Sequence, residues 1–190
     1  MRLRRLIFVL CLTPLMWLTW KMVFVGVGAN PVETINRFLG DWTLRFLLIT
    51  LTATPLARLT GNGGIIGYRR MLGLFTFFYA VLHVVNYVTI EQSLVWADII
   101  ADVTKRRFIT VGVVSFLMLV PLAVTSTNGM IRRLGAARWK KLHRLVYVAA
   151  VGGVFHYAMM VKADLRPPLI HAAILALLLT IRLFYRIRRI

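Results

Sequence analysis

The residues of this chain best suited to chemistry are its four histidines, His83, His143, His156 and His171. The single cysteine, Cys11, has no second thiol, so it builds neither an intramolecular disulfide nor a Cys-ligated zinc or iron–sulfur centre. The six acids, Glu33, Asp41, Glu91, Asp98, Asp102 and Asp164, fall between the long apolar runs. That placement disfavours paired-carboxylate hydrolysis and weakens the case for an ion-coupled transporter or proton pump. The chain has no P-loop, dinucleotide Gly-rich fingerprint, His-Glu-x-x-His or nucleophile elbow, and Gly61-Asn62-Gly63-Gly64 follows no strand and reads as a turn. Neutral imidazoles are metal ligands, and two of them facing each other across a helical bundle hold a haem iron from both sides.

The elements that must position these histidines are set by hydropathy. Of the 190 residues, 59% are hydrophobic and 16% charged, with a mean hydropathy of +0.77. Soluble domains are nearer a quarter charged. A helix needs about 20 apolar residues to cross a bilayer. Six segments qualify: Leu6–Val25, Thr43–Leu59, Met71–Ile90, Phe108–Thr125, Leu142–Val161 and Pro168–Tyr185. The sequence therefore predicts an all-α integral membrane protein, a six-transmembrane-helix bundle forming one domain over residues 1–190. The first segment has the basic start of a signal peptide, but its apolar run is too long, and Trp17, Trp20, Lys21 and Phe24 suit a span ending at an interface. Between the third and fourth spans, Leu94, Val95, Trp96, Ile99, Ile100 and Val103 recur at helical spacing, with Asp98 and Asp102 opposite. Glu91–Arg107 thus reads as a short amphipathic helix on the outer surface.

Charge gives orientation. With the N-terminus inside, the inner side holds Arg2, Arg4, Arg5, Arg58, Arg69, Arg70, Arg132, Arg133, Arg138, Lys140, Lys141, Arg144, Arg182, Arg186, Arg188 and Arg189 and no acid. The outer side holds Lys21, Arg37, Arg45, Lys105, Arg106, Arg107, Lys162 and Arg166 together with all six acids. This positive-inside pattern places both termini in the cytoplasm. A net charge of +18 spread this way between apolar runs signals topology and lipid contact, and no nucleic-acid partner is expected.

On those spans His83 lies about 12 residues from the inner start of the third, hence about 18 Å deep, and His156 about 14 residues into the fifth, about 21 Å deep. The pair is matched in depth, and the small residues Gly73, Ala80, Gly152 and Gly153 leave room for a flat macrocycle. Structural histidines that hydrogen-bond a neighbouring helix are the alternative. His143 precedes His156 by 13 residues, about 20 Å, too far to share a haem. It suits a second, inner haem, for which the third span offers Arg69 and Arg70 rather than a histidine, or equally an interfacial position beside lipid phosphates. His171 opens the last span at the outer face as a surface residue within reach of a quinone or a haem propionate.

The stretch Arg69-Arg70-Met71-Leu72-Gly73-Leu74, with Tyr79-Ala80-Val81-Leu82-His83 and Tyr87, resembles the ferric-reductase-like transmembrane domain family, in particular the haem-binding membrane subunits of bacterial periplasmic methionine sulfoxide reductase systems. The likeness extends through Asn30-Pro31-Val32-Glu33, Thr54-Pro55-Leu56-Ala57-Arg58, Thr125-Ser126-Thr127, Leu134-Gly135, Trp139 to Tyr147, and His156-Tyr157 with Lys162, nearly the whole chain. It implies a b-type cytochrome of the bacterial inner membrane, an electron-transfer subunit rather than the catalytic one. Its haem ligands fall on His83, His143 and His156. It also implies FMN, for which no flavin motif is visible, and a periplasmic molybdopterin methionine sulfoxide reductase as partner, repairing oxidised envelope proteins. Larger relatives append a nicotinamide domain, so the electron donor here is expected to be quinol or a cytoplasmic flavin reductase. The alternatives are a transmembrane ferric or other metal reductase subunit, or a non-redox transporter or scaffold with structural histidines.

Overall fold

Apolar segments in a bilayer must satisfy their own backbone polar groups, which leaves them the helix. In the computed structural model, which describes residues 2–161 and 163–187, every long element is helical and no strand occurs among the described residues. Lys162, Arg188 and Arg189 of the charge count lie outside them. The helices are α1 (Arg2–Phe24), α2 (Pro31–Leu59), α3 (Arg69–Asn86), α4 (Trp96–Lys105), α5 (Arg107–Val124), α6 (Asn128–Leu134), α7 (Ala136–Leu142), α8 (Leu145–Met160) and α9 (Arg166–Ile187). A 3₁₀ helix, Gly63–Tyr68, leads into α3, and a π turn, Tyr87–Glu91, ends it.

Among the described residues, four stretches are long and apolar enough to cross a membrane: Arg2–Phe24, Gly63–Glu91, Arg107–Val124 and Arg166–Ile187. The other two expected spans take a different form. α2 starts well before Thr43 because Asn30 caps it, its Oδ1 accepting from Glu33 N at 3.3 Å, because Pro31 opens it, and because Glu33–Arg37 and Asp41–Arg45 pair at i,i+4 along its first turns. Asp41 is therefore helical. α8 has 16 residues, since the chain breaks at His143 and Arg144, between α7 and α8. The expected amphipathic helix is α4, with no buried residue; its Asp102 accepts from Gln92 Nε2 at 2.9 Å and pairs with Arg106.

α2, α3, α5, α8 and α9 share one core built on Leu47, Leu51, Ala80, Leu119, Ala150 and Leu178. α1 joins a second cluster against α2 and α3 through Cys11 and Leu18. Its attachment is specific. Pro14 removes a donor from the α1 ladder, and the fully buried Tyr79 hydroxyl enters the ladder there, donating to Cys11 O at 2.9 Å and accepting from Leu15 N at 3.2 Å. Outward-facing apolar side chains such as Phe24, Leu59, Val124 and Leu177 stay exposed, as a lipid-facing surface requires.

Tyr79→Phe keeps the ring and removes the hydroxyl from between two buried backbone groups, a loss of about 1–3 kcal/mol. The variant should unfold in detergent at a lower temperature than the parent; an unchanged melting temperature would show that the ladder closes without it.

Candidate metal centre

The two most intimate helix pairs, α2 with α3 and α5 with α8, each carry a histidine built in the same way. His83 on α3 donates from Nδ1 to Asn36 O on α2 at 2.9 Å, and His156 on α8 donates from Nδ1 to Phe108 O on α5 at 2.6 Å. Four residues beyond each carbonyl is a glycine, Gly40 and Gly112, against which the imidazole lies. A Cβ at Gly40 would stand 3.1 Å from His83 Cε1; one at Gly112 would stand 2.9 Å from both Cε1 and Nδ1 of His156. A helical side chain leans back over the preceding turn, so a residue larger than glycine at either position would cover the carbonyl that the imidazole uses.

This bond decides the chemistry. A carbonyl accepts only, so each Nδ1 carries the proton and each Nε2 keeps a free lone pair, the form in which histidine binds metals. Among the described residues neither Nε2 has a hydrogen-bond partner. The two rings stand 6.4 Å apart between centroids, with planes at 73°. A metal–imidazole bond of about 2 Å and a ring radius of about 1.1 Å put two imidazoles on one ion about 6 Å apart. The observed separation is close to that value, which makes the pair a candidate site for one ion. No group of three His, Cys, Asp or Glu side chains that could hold a metal occurs among the described residues. An ion here must bring its remaining ligands with it, as iron in a porphyrin does. Phe77 on α3 and Phe116 on α5 stack at 5.9 Å and 8° between the helices that carry His83 and Gly112.

The other two histidines are engaged elsewhere. His143 lies outside α8, stacked on Trp139 at 3.9 Å, with its Nε2 3.1 Å from Thr125 Oγ1. Burial, then the Arg69 and Arg70 guanidinium groups, hold its imidazole below the ordinary histidine range and keep it neutral. No histidine faces it. His171 is not the surface residue expected. Its side chain is 11% exposed, its Nδ1 donates to Pro167 O at 2.7 Å, and its Nε2 lies 3.7 Å from Asp41 Oδ1.

The small residues expected to make room for a macrocycle serve helix packing. A Cβ at Gly152 would collide with Ser115 Oγ, one at Gly73 would touch Thr50, one at Gly153 would touch Leu44, and Ala80 is in the core. Gly40 and Gly112, which sequence reasoning passed over, are the glycines that matter to the histidines. Their signal was present: isolated glycines inside apolar helical runs mark a close approach. On the expectation that this pair holds a haem iron, Gly112→Ala should reduce haem bound per protein several-fold, and Gly40→Ala less, because the contact it creates is looser. Absorbance per chain measures this, and full occupancy in both would show that the imidazoles do not need the glycines.

Residues 39–154 match the family described as ferric reductase like transmembrane component. The chain is 55% identical over 183 residues to the protein-methionine-sulfoxide reductase heme-binding subunit MsrQ of Rhodospirillum rubrum, covering 96% of this chain and 88% of that one. It is 45% identical to the protein of the same name from Caulobacter vibrioides, covering 94% and 85%. It is 42% identical to the magnetosome protein MamZ of Magnetospirillum gryphiswaldense, covering 96% of this chain but 29% of that longer one. With His83, Gly112 and most of the helical core inside the matched region, the chain belongs to the ferric-reductase-like transmembrane family and, within it, to the MsrQ family.

Proposed function

We propose that this chain is the membrane electron-transfer subunit of a periplasmic methionine sulfoxide repair system, holding a b-type haem between His83 and His156. The observation that carries the proposal is the pair of imidazoles, each fixed through Nδ1 to a helix carbonyl and 6.4 Å from the other. The names of the relatives support the haem and the reductase. When bound, the haem supplies one-electron storage at its iron; the chain's own part is placement and environment. His83 and His156 present unprotonated Nε2 atoms, Asn36 and Phe108 hold the Nδ1 protons in place, and the surrounding apolar helices keep the site at low dielectric. Fixed ligands cost little reorganisation when the charge of the centre changes.

In this reading α1, α2, α3 with its π turn, α5, α8 and α9 are six spans. The 16 residues of α8 rise about 24 Å, close to the hydrocarbon thickness. Both termini lie in the bacterial cytoplasm, on the strength of the acid-free inner loops. The haem then lies in the outer half, under α4. A periplasmic molybdopterin reductase would accept electrons there, and quinol or a cytoplasmic flavin reductase would supply them. FMN rests on resemblance alone and is assigned no residue. His143 joins a second haem only by exchanging Thr125 for iron. A haem-to-chain ratio of one leaves it with Thr125, and a ratio of two assigns it to iron.

The test is a reduction and reoxidation cycle with purified protein. NADPH alone should leave the haem oxidised, whereas a quinol analogue or an added flavin reductase should reduce it. The oxidised periplasmic partner should then reoxidise it. His83→Ala and His156→Ala should each lose or strongly disturb the haem spectrum, and His171→Ala should keep it. A parental reduced spectrum in either ligand variant would refute the pair. Reoxidation by ferric citrate but not by the partner would assign the chain to metal reduction.

A further inference from the structure

The N-terminal half of α1 packs only loosely against the bundle. No described residue from Arg2 to Leu10 is buried; Ile7 is half-buried against the α2–α3 cluster, and the buried contacts of α1, Cys11, Pro14 and Leu18, lie beyond them. What separates this half from α3 is a groove of about 880 Å³, within the range of small-ligand sites. Phe8 and Val9 form one wall, and Leu74, Phe75 and Phe78 the other. Phe8 meets Phe75 edge-on at 5.1 Å across it. Three arginines line it from two helices: Arg4 and Arg5 of α1 and Arg70 of α3. Arg4 and Arg5 form no salt bridge among the described residues. Arg70 spends one nitrogen on Asn128 Oδ1, at 2.6 Å, and keeps its remaining donors. An apolar slot lined by three cations and no acid complements an apolar chain that ends in an anion.

We propose that this groove is a binding site for one anionic phospholipid, its phosphate held by Arg4, Arg5 and Arg70 and an acyl chain lying between Phe8 and Phe78. The charge favours this occupant over a quinone, whose uncharged ring has no need of three guanidinium groups. The lipid completes the packing that α1 lacks on this half and ties α1 to α3 where the protein makes few contacts of its own. The site is independent of the haem and of the redox reading, and it stands whichever way the bundle faces.

The experiment is native mass spectrometry of the protein released from non-ionic detergent, titrated with phosphatidylglycerol or with phosphatidylcholine of the same chains. Phosphatidylglycerol should be retained in preference. The combined variant Arg4→Gln/Arg5→Gln/Arg70→Gln should bind it roughly tenfold or more weakly, as expected from removing three cations that face one phosphate. Val9→Trp/Leu74→Trp, which fills the slot and leaves the charges, should weaken it as well. Arg132→Gln/Arg133→Gln, on α6 and not among the residues that line the groove, should bind as the parent does. Haem absorbance and melting temperature, recorded for each variant, separate lost binding from lost fold, and the slot-filling variant stands as an independent arm if the arginine variant does not fold. Equal retention of phosphatidylcholine, or equal weakening by the α6 variant, would overturn the proposal. So would displacement of the lipid by a short-chain quinone at equal concentration, which would give the groove to the electron donor.

Discussion

The structure turns on a hydrogen bond from an imidazole Nδ1 to a helix carbonyl that already serves its own helix. A carbonyl has two lone pairs, and in a helix the second is normally screened by the side chain four residues on. Glycine at that position uncovers it. The arrangement is made twice, Asn36 with Gly40 for His83 and Phe108 with Gly112 for His156. It fixes ring direction, tautomer and the level of the free Nε2 at once, and it needs the two helices of each pair to lie close along their length. The contact of Gly152 with Ser115, whose hydroxyl turns back to Val111 O at 2.8 Å, holds α5 and α8 at that distance one turn from His156.

The remaining helices keep the pairs in register. α9 crosses α2 and α8, and the guanidinium of Arg182 binds both, donating to Tyr147 Oη at 2.8 Å and to Leu51 O at 2.5 Å while lying over the Tyr147 ring. A hydroxyl, a carbonyl and a π face replace part of the water of this half-buried cation, and its Nε has no partner among the described residues. Toward the opposite end of α9, His171 and Asp41 bring its second turn against α2. α1 lies outside this frame, attached through the Tyr79 hydroxyl at the break made by Pro14.

Much of this was legible in the sequence. Depth along a helix is a matter of counting, so the sequence alone pairs His83 with His156, and the structure brings their rings to 6.4 Å. What escaped was whatever depends on the partner across a helix interface. The start of α2 was read from hydropathy, which stops at Thr43, although Asn30, Pro31 and two i,i+4 ion pairs carry the helix further. By composition Gly73, Gly152 and Gly153 read as space for a macrocycle, yet small residues in membrane helices let backbones meet, and here Thr50, Ser115 and Leu44 fill that space. His171 looked like a surface residue because its partner, Asp41, is 130 positions away in the chain and was counted as part of a loop. His143 looked like part of a span because an apolar run begins at Leu142, whereas the backbone turns there to stack its ring on Trp139.

The central claim is that His83 and His156 hold one iron between them with rings fixed by Asn36 and Phe108. Electron paramagnetic resonance of the oxidised, purified protein tests it most directly, since low-spin ferric iron reports both axial ligands and the angle between their planes. Rings crossed at 73° predict a strongly anisotropic low-spin signal with one dominant low-field feature. A high-spin signal would mean that one imidazole is not bound, and the rhombic low-spin signal of parallel rings would mean that the two carbonyls do not set their orientation; either would contradict the account.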